Sequence, residues 1–407
     1  MKDKYYKENS WWVSPFNYID EVQKTLSIPN EVIIHDATLR DGEQTPGIVF
    51  RKDDKVRIAE QLDSIGIERI EAGMPAVSKE DFEAIKEISK RVKNAQIFTF
   101  ARAMKSDIDM AVDCGAHGVV IEVPIGYPKL KYQFNWTWED VYNKSADVIN
   151  YAKEKGLYAV FFPYDTTRAR EEDYDNLIQK ICKNALPDSI GIVDTMGCAT
   201  PEAIRYLVKK TKEMSKLPIE IHTHNDFGMG VATELAAVTA GASVVHSCVN
   251  GMGERTGNAA LEDLILCLKL LYGVDNHYDI HKLTALCEYL SELTGIPIPR
   301  NKPVTGKFNY TRESGIGVDL VMKKPLAMFS IDPQMLGKTG DVALGKKSGR
   351  MSVVYTLESL GIVDVDGGTV DLILQEVKKM GAEKRRLLNI NEFKAIMSDY
   401  GLHSPQS

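Results

Sequence analysis

The chain predicts an α/β fold, a TIM-type (β/α)8 barrel with a helical C-terminal region. Three observations carry this: short apolar, β-rich runs alternate strictly with longer segments of helical spacing, eight such runs occur, and no GxGxxG fingerprint follows an early strand. The runs are Val32–His35, Ile67–Ala72, Gln96–Ala101, Gly118–Val123, Leu157–Phe162, Ile190–Asp194, Pro218–Thr223 and Ser243–Val249. Apolar residues at helical spacing follow in Lys52–Ile65, Lys79–Val92, Trp138–Lys155, Pro201–Met214, Gly228–Thr239 and Ala259–Tyr272. Strict alternation predicts a parallel sheet, and eight units that close on themselves place the chemistry at the carboxyl ends of the strands. An open doubly wound sheet is the competing fold.

The flanks differ in character. Residues 1–30 hold Trp11, Trp12, Phe16 and Tyr18 and are expected to be an aromatic extension packed on the barrel or on a neighbouring subunit. The barrel is expected over 31–275. Beyond Gly273 come helices, then a stretch rich in Gly, Pro and Lys from Ile296 to Gly349, then two more helical segments, so 276–407 reads as linker, lid and helical subdomain.

Composition narrows the function classes. With 407 residues, 44% of them hydrophobic, the chain has enough material for one large core. Its 50 basic and 57 acidic residues leave a net charge of −7, without the basic footprint of a nucleic-acid binder. The six cysteines, Cys114, Cys182, Cys198, Cys248, Cys267 and Cys287, form no CxxC pair, so neither a disulfide framework nor a structural zinc site is indicated. Met1–Ser10 is charged, and no uncharged apolar run approaches a membrane span. A cytoplasmic protein is expected, with no nucleic-acid or membrane partner.

Three motifs carry chemistry. The first strand runs into Asp36-Ala37-Thr38-Leu39-Arg40-Asp41-Gly42-Glu43-Gln44, which sets Arg40 beside Asp41 at a barrel mouth. A carboxylate there can hold a metal while the guanidinium stabilises an oxyanion, although a structural ion pair fits the same residues. The seventh strand continues into His222-Thr223-His224-Asn225-Asp226; side chains alternate along a strand, so His222 and His224 face one side and can share one ion. After the eighth strand comes Asn250-Gly251-Met252-Gly253-Glu254-Arg255-Thr256-Gly257-Asn258. This is either a tight turn before a helix or a place where substrate approaches the backbone, with Asn258 able to lend an oxygen to the metal. Thr195, Asp194 and Glu71 also end strands: Thr195 suits a carboxylate anchor, and Asp194 and Glu71 suit proton transfer or orientation.

Together these motifs resemble the signatures of the 2-isopropylmalate, homocitrate and citramalate synthase family, over roughly Glu31 to Tyr272 and more loosely at Glu313-Ser314-Gly315-Ile316 and Leu344–Arg350. The wider superfamily includes hydroxymethylglutaryl-CoA lyases and carboxyltransferase subunits of biotin enzymes. The resemblance implies that Asp41, His222, His224 and Asn258 hold a divalent metal (Mn, Mg, Zn or Co). It also implies that Arg40 stabilises an enolate and that Thr195 holds a 2-oxo acid carboxylate. The implied reaction condenses acetyl-CoA with a 2-oxo acid and releases CoA, and a homodimer is expected.

Departures from the family pattern bear on the details. Where the family shows His-Glu-Ser-Gly-Ile-His, this chain reads Arg312-Glu313-Ser314-Gly315-Ile316-Gly317, so Glu313 or Glu71 becomes the candidate base. Glu122-Val123-Pro124 and Val160–Asp165 depart too, implying a reshaped 2-oxo acid pocket. Arg102 and Arg312 are candidates for a second carboxylate, as in oxaloacetate or 2-oxoglutarate, or else solvated or purely structural. Lys346, Lys347 and Ser348 could meet a CoA phosphate, but Ser348 reads better as a helix cap. The chain stops short of a leucine-binding regulatory domain, so feedback inhibition of that type is not expected. The alternative activity is a 3-hydroxyacyl-CoA lyase, disfavoured because Asn250–Asn258 lacks the lyase cysteine.

Overall fold

This computed structural model describes residues 2–274 and 277–403. Eight parallel strands close into a barrel: β1 (Ile33–Asp36), β2 (Arg69–Glu71), β3 (Gln96–Arg102), β4 (Gly118–Pro124), β5 (Tyr158–Tyr164), β6 (Ser189–Asp194), β7 (Ile219–Thr223) and β8 (Val244–Ser247). Closure comes from β8, which pairs with β1 through His246 and His35 and with β7 through Val244 and Glu220. The sequence expectation of a TIM barrel therefore holds. Helices lie outside: α1 (Lys52–Ile65), α2 (Lys79–Arg91), α3 (Lys105–Asp113), α4 (Trp138–Glu154), α5 (Glu171–Asn184), α6 (Pro201–Ser215), α7 (Gly230–Ala240) and α8 (Leu261–Leu271). Several start on side-chain caps, Ser78, Thr137 and Thr200, each accepting a backbone N–H three residues on.

The barrel interior is divided by chemistry. On the β3–β6 side Phe98, Phe100, Val120, Val160, Phe162 and Val193 form an apolar cluster. Gly191 leaves room for it, since a Cβ there would run into the Phe162 ring. On the other side the inward residues are polar: Glu220 accepts from Arg69 at 2.9 Å and Ser189 at 2.6 Å, and lies 3.1 Å from His246, whose ring stacks on His35 at 4.2 Å. Buried charge is tolerated here because the groups are paired. The consequence is a polar floor beneath one half of the mouth.

By contacts the chain forms two compact units, Pro15–Pro297 and a second joining Met1–Ser14 to Ile298–Ser407. The division falls after Pro297 rather than at residue 275, because α9 (Leu283–Thr294) packs with the barrel: Asn250 donates to the Cys287 carbonyl at 2.8 Å and Arg57 lies over Tyr289. The N-terminal aromatics divide as well. Tyr18 donates to the Leu270 carbonyl on α8 at 2.7 Å, whereas Trp12 N–H donates to the Ser330 carbonyl in the second unit. That unit has its own core, with Leu344, Val353, Leu357, Val370, Ile373, Val377 and Phe393 among its buried residues. No helix among the described residues is long and apolar enough to cross a membrane.

Candidate active site

The three motifs meet at the carboxyl end of the barrel. Asp41 sits in the turn after β1, its N–H donating to the Ala37 carbonyl at 2.8 Å. His222 is the last but one residue of β7 and His224 follows the strand; their Nε2 atoms lie 3.1 and 3.4 Å from Asp41 Oδ2. Asn258 is brought across by a bridge to His224, and its amide donates to Asp41 Oδ2 at 3.2 Å and to the Met252 carbonyl at 2.9 Å. The glycine-rich turn serves this placement: at Gly253 (φ +145°) a Cβ would collide with the Asn258 amide.

The donor set fits a divalent ion. Asp41, His222 and His224 are buried with their ligand atoms within 4.8 Å of one another. Asp41 Oδ1, His224 Nε2 and Asn258 Oδ1 are buried with no hydrogen-bond partner, a costly state for polar atoms away from water that a cation would relieve. Burial lowers His222 to about 4, against the pull of Asp41, so the imidazole is neutral as a ligand must be. Burial would raise Asp41, but Arg40 and the two imidazoles outweigh it and hold the carboxyl well below its usual range. One carboxylate and two imidazoles suit Zn, Mn, Co or Mg.

Arg40 is fixed rather than free. Its Nε and Nη2 donate to Glu71 at 2.9 and 3.1 Å, its plane lies 4.3 Å from the Phe100 ring, and Nη1 is 3.6 Å from Asp41. Burial would raise Glu71, yet Arg40 and His35 bring it down to about 2, so Glu71 stays ionised. It orients Arg40; a group so acidic and so engaged is a poor base.

The remaining expected residues have distinct settings. Thr195 Oγ1 accepts the Asp165 N–H at 2.8 Å, which leaves its hydroxyl hydrogen to donate. Asp194 is engaged by its own loop, accepting from Thr167, Cys198 N–H and Ala199 N–H, so it anchors that loop. Arg102 is 55% exposed and held by Asp107 through Nε and Nη2. In the second unit Arg312 donates to the Ile316 carbonyl and Glu313 accepts the Lys347 N–H at 3.0 Å. Ser348 is not the helix cap expected: it accepts the Gly345 N–H at 2.9 Å, and Gly349 precedes the helix Arg350–Ser359. Sequence reasoning passed over His35, Arg69, Glu220 and His246, although charged residues inside parallel strands, normally apolar on both faces, were a signal.

Comparison with known proteins agrees with this geometry. Residues 31–290 match the HMGL-like family model, and residues 304–385 match that of the homocitrate synthase post-HMGL domain. Homocitrate synthase AksA of Methanopyrus kandleri is 40% identical over 370 residues, 91% of this chain and 93% of that one. The 2-isopropylmalate synthase of Methanocaldococcus jannaschii is 38% identical over 384 residues, covering 94% and 74%. Hydroxymethylglutaryl-CoA lyase from Pseudomonas aeruginosa shares the fold, with a TM-score of 0.59 at 19% identity over 67% of this chain and 95% of that one. The chain belongs to the HMGL-like family, and its C-terminal segment to that of the homocitrate synthase post-HMGL domain.

Proposed function

We propose that this chain condenses acetyl-CoA with a 2-oxo acid, forming a 2-hydroxy-2-carboxymethyl acid and releasing CoA. The observation that carries this is the buried Asp41–His222–His224 cluster with the Arg40 guanidinium held against it by Glu71. A divalent ion bound by Asp41, His222 and His224, with Asn258 as a further ligand, would supply Lewis acidity toward a keto oxygen. Arg40 Nη1 is the donor left for negative charge developing on the thioester or keto oxygen, pre-oriented so that no reorganisation is needed during reaction. Thr195 offers its hydroxyl to the 2-oxo acid carboxylate. Arg102, with Nη1 not taken by Asp107, supports a distal carboxylate and thus oxaloacetate or 2-oxoglutarate. Cys248, beside Asn258, is buried, and burial pushes its thiol well up, so the turn supplies no reactive thiolate for lyase chemistry. None of the six cysteines forms a disulfide, which supports a reducing cytoplasm, and a homodimer is the assembly proposed.

The test is free-thiol release from acetyl-CoA with added divalent metal, against oxaloacetate, 2-oxoglutarate, pyruvate, glyoxylate and 2-oxoisovalerate. Release that depends on one 2-oxo acid supports the synthase and names the co-substrate. Silence across the panel with metal bound overturns the reading.

A further inference from the structure

Glu122 stands apart from the other acids of the mouth. Asp41, Glu71, Asp165, Asp194 and Asp226 are engaged, by the imidazoles, Arg40, Arg168, a loop backbone and Arg255 respectively. Glu122 is partly buried, and among the described residues it has no hydrogen-bond or ion-pair partner. Its place follows from strand alternation: Val120 faces the interior in the cluster with Phe98 and Phe162, so Glu122, two residues on, faces inward one layer nearer the mouth. Register sets it between Arg102 on β3 and Phe162 on β5. The charged and titratable groups that act on it are Arg40, Glu71, Asp41 and Glu254, with Tyr164 beside it.

We propose that Glu122 is the proton carrier of the condensation, taking a proton from the acetyl thioester methyl group and delivering it to the oxygen of the former keto group. This rests on the synthase reading above. The C–H pair becomes the enolate double bond, with negative charge on the thioester oxygen toward Arg40. The enolate carbon then forms the C–C bond to the keto carbon, whose π pair moves to its oxygen. That oxygen takes the proton from the Glu122 carboxyl, which returns to carboxylate, so the condensation itself is proton-neutral; water then hydrolyses the resulting thioester, its oxygen going to the new carboxyl group and its hydrogen to the CoA thiol that the assay reads. Burial, reinforced by Glu71 and Asp41 against the pull of Arg40, pushes Glu122 up to about 7, where both forms are populated at neutral pH.

The experiment compares full-length wild type, Glu122→Gln and Glu122→Asp in the thiol-release assay with the active 2-oxo acid and saturating metal, across pH. Expected are a fall in kcat of about 100-fold or more for Glu122→Gln, little change in KM for the 2-oxo acid, and unchanged metal content and circular dichroism. The wild-type acid limb should vanish in Glu122→Gln, and Glu122→Asp should recover part of the rate. An active wild type with a Glu122→Gln variant of equal kcat overturns the role of Glu122 alone. If Glu122→Gln does not fold, Glu122→Asp with the wild-type rate and acid limb overturns it. A wild type silent across the whole panel overturns instead the synthase reading on which it rests.

Discussion

Replacing Glu71 by Gln tests whether the barrel mouth is organised around the Arg40 guanidinium. Glu71 is fully buried, Arg40 nearly so, and the substitution keeps the shape while removing the charge that balances the guanidinium. The drop of Glu71 from 4.5 to about 2 corresponds to about 3 kcal/mol of folding free energy. That agrees with the roughly 3–5 kcal/mol lost when one member of a buried pair is removed. The sign follows from a folded value below the unfolded one: the stabilisation is fully present above about 4.5 and is lost as pH falls through about 2. Glu71→Gln should therefore be about 3 kcal/mol less stable than wild type at neutral pH, and the gap should close as the medium is acidified toward 2. Urea unfolding followed by circular dichroism at several pH values measures both. A variant as stable as wild type at neutral pH, or a gap that does not narrow in acid, refutes the claim that ionised Glu71 holds Arg40.

Three further outcomes are expected. His224→Ala should lose bound metal and thiol release while keeping its circular dichroism spectrum; full activity in a metal-poor variant removes the cluster from consideration. Arg40→Lys should lower kcat by about 100-fold or more, because an ammonium cannot make the two-point contact with Glu71 and still present a directed donor, and unchanged kcat would count against an oxyanion role. Gly253→Ala should lower metal affinity by about 10-fold or more through displacement of Asn258, read by titration with Mn or Zn.

The fold was legible from alternation alone, and each observed strand overlaps an expected run. Ends moved, as at Arg69–Glu71 within the expected Ile67–Ala72, and at Tyr158–Tyr164, which runs past the expected Phe162. Strand ends are set by the neighbour's ladder, which a single segment does not contain. The metal cluster was legible because His222 and His224 sit two apart at the end of one strand and Asp41 lies in the turn after another. The roles of Glu71 and Asp194 were open: both suited proton transfer or orientation, and their partners, Arg40 and the 198–199 backbone, favour orientation. Whether Arg102 was solvated or paired was likewise open until Asp107 was seen beside it.

By itself, then, the sequence determined the strand order, the shared face of His222 and His224 and the residue types that could hold a metal, because these follow from the alternation of strands and helices and from the period of two along a strand. Only the tertiary structure decided which charges cancel. Closing β8 onto β1 stacks His35 on His246, and setting Arg69 against Glu220 and Arg40 against Glu71 leaves Glu122 at the mouth without a side-chain partner among the described residues. Pairing across a barrel depends on distances between strands far apart in the chain, and in a low-dielectric interior those distances settle which carboxyl stays ionised and which can carry a proton.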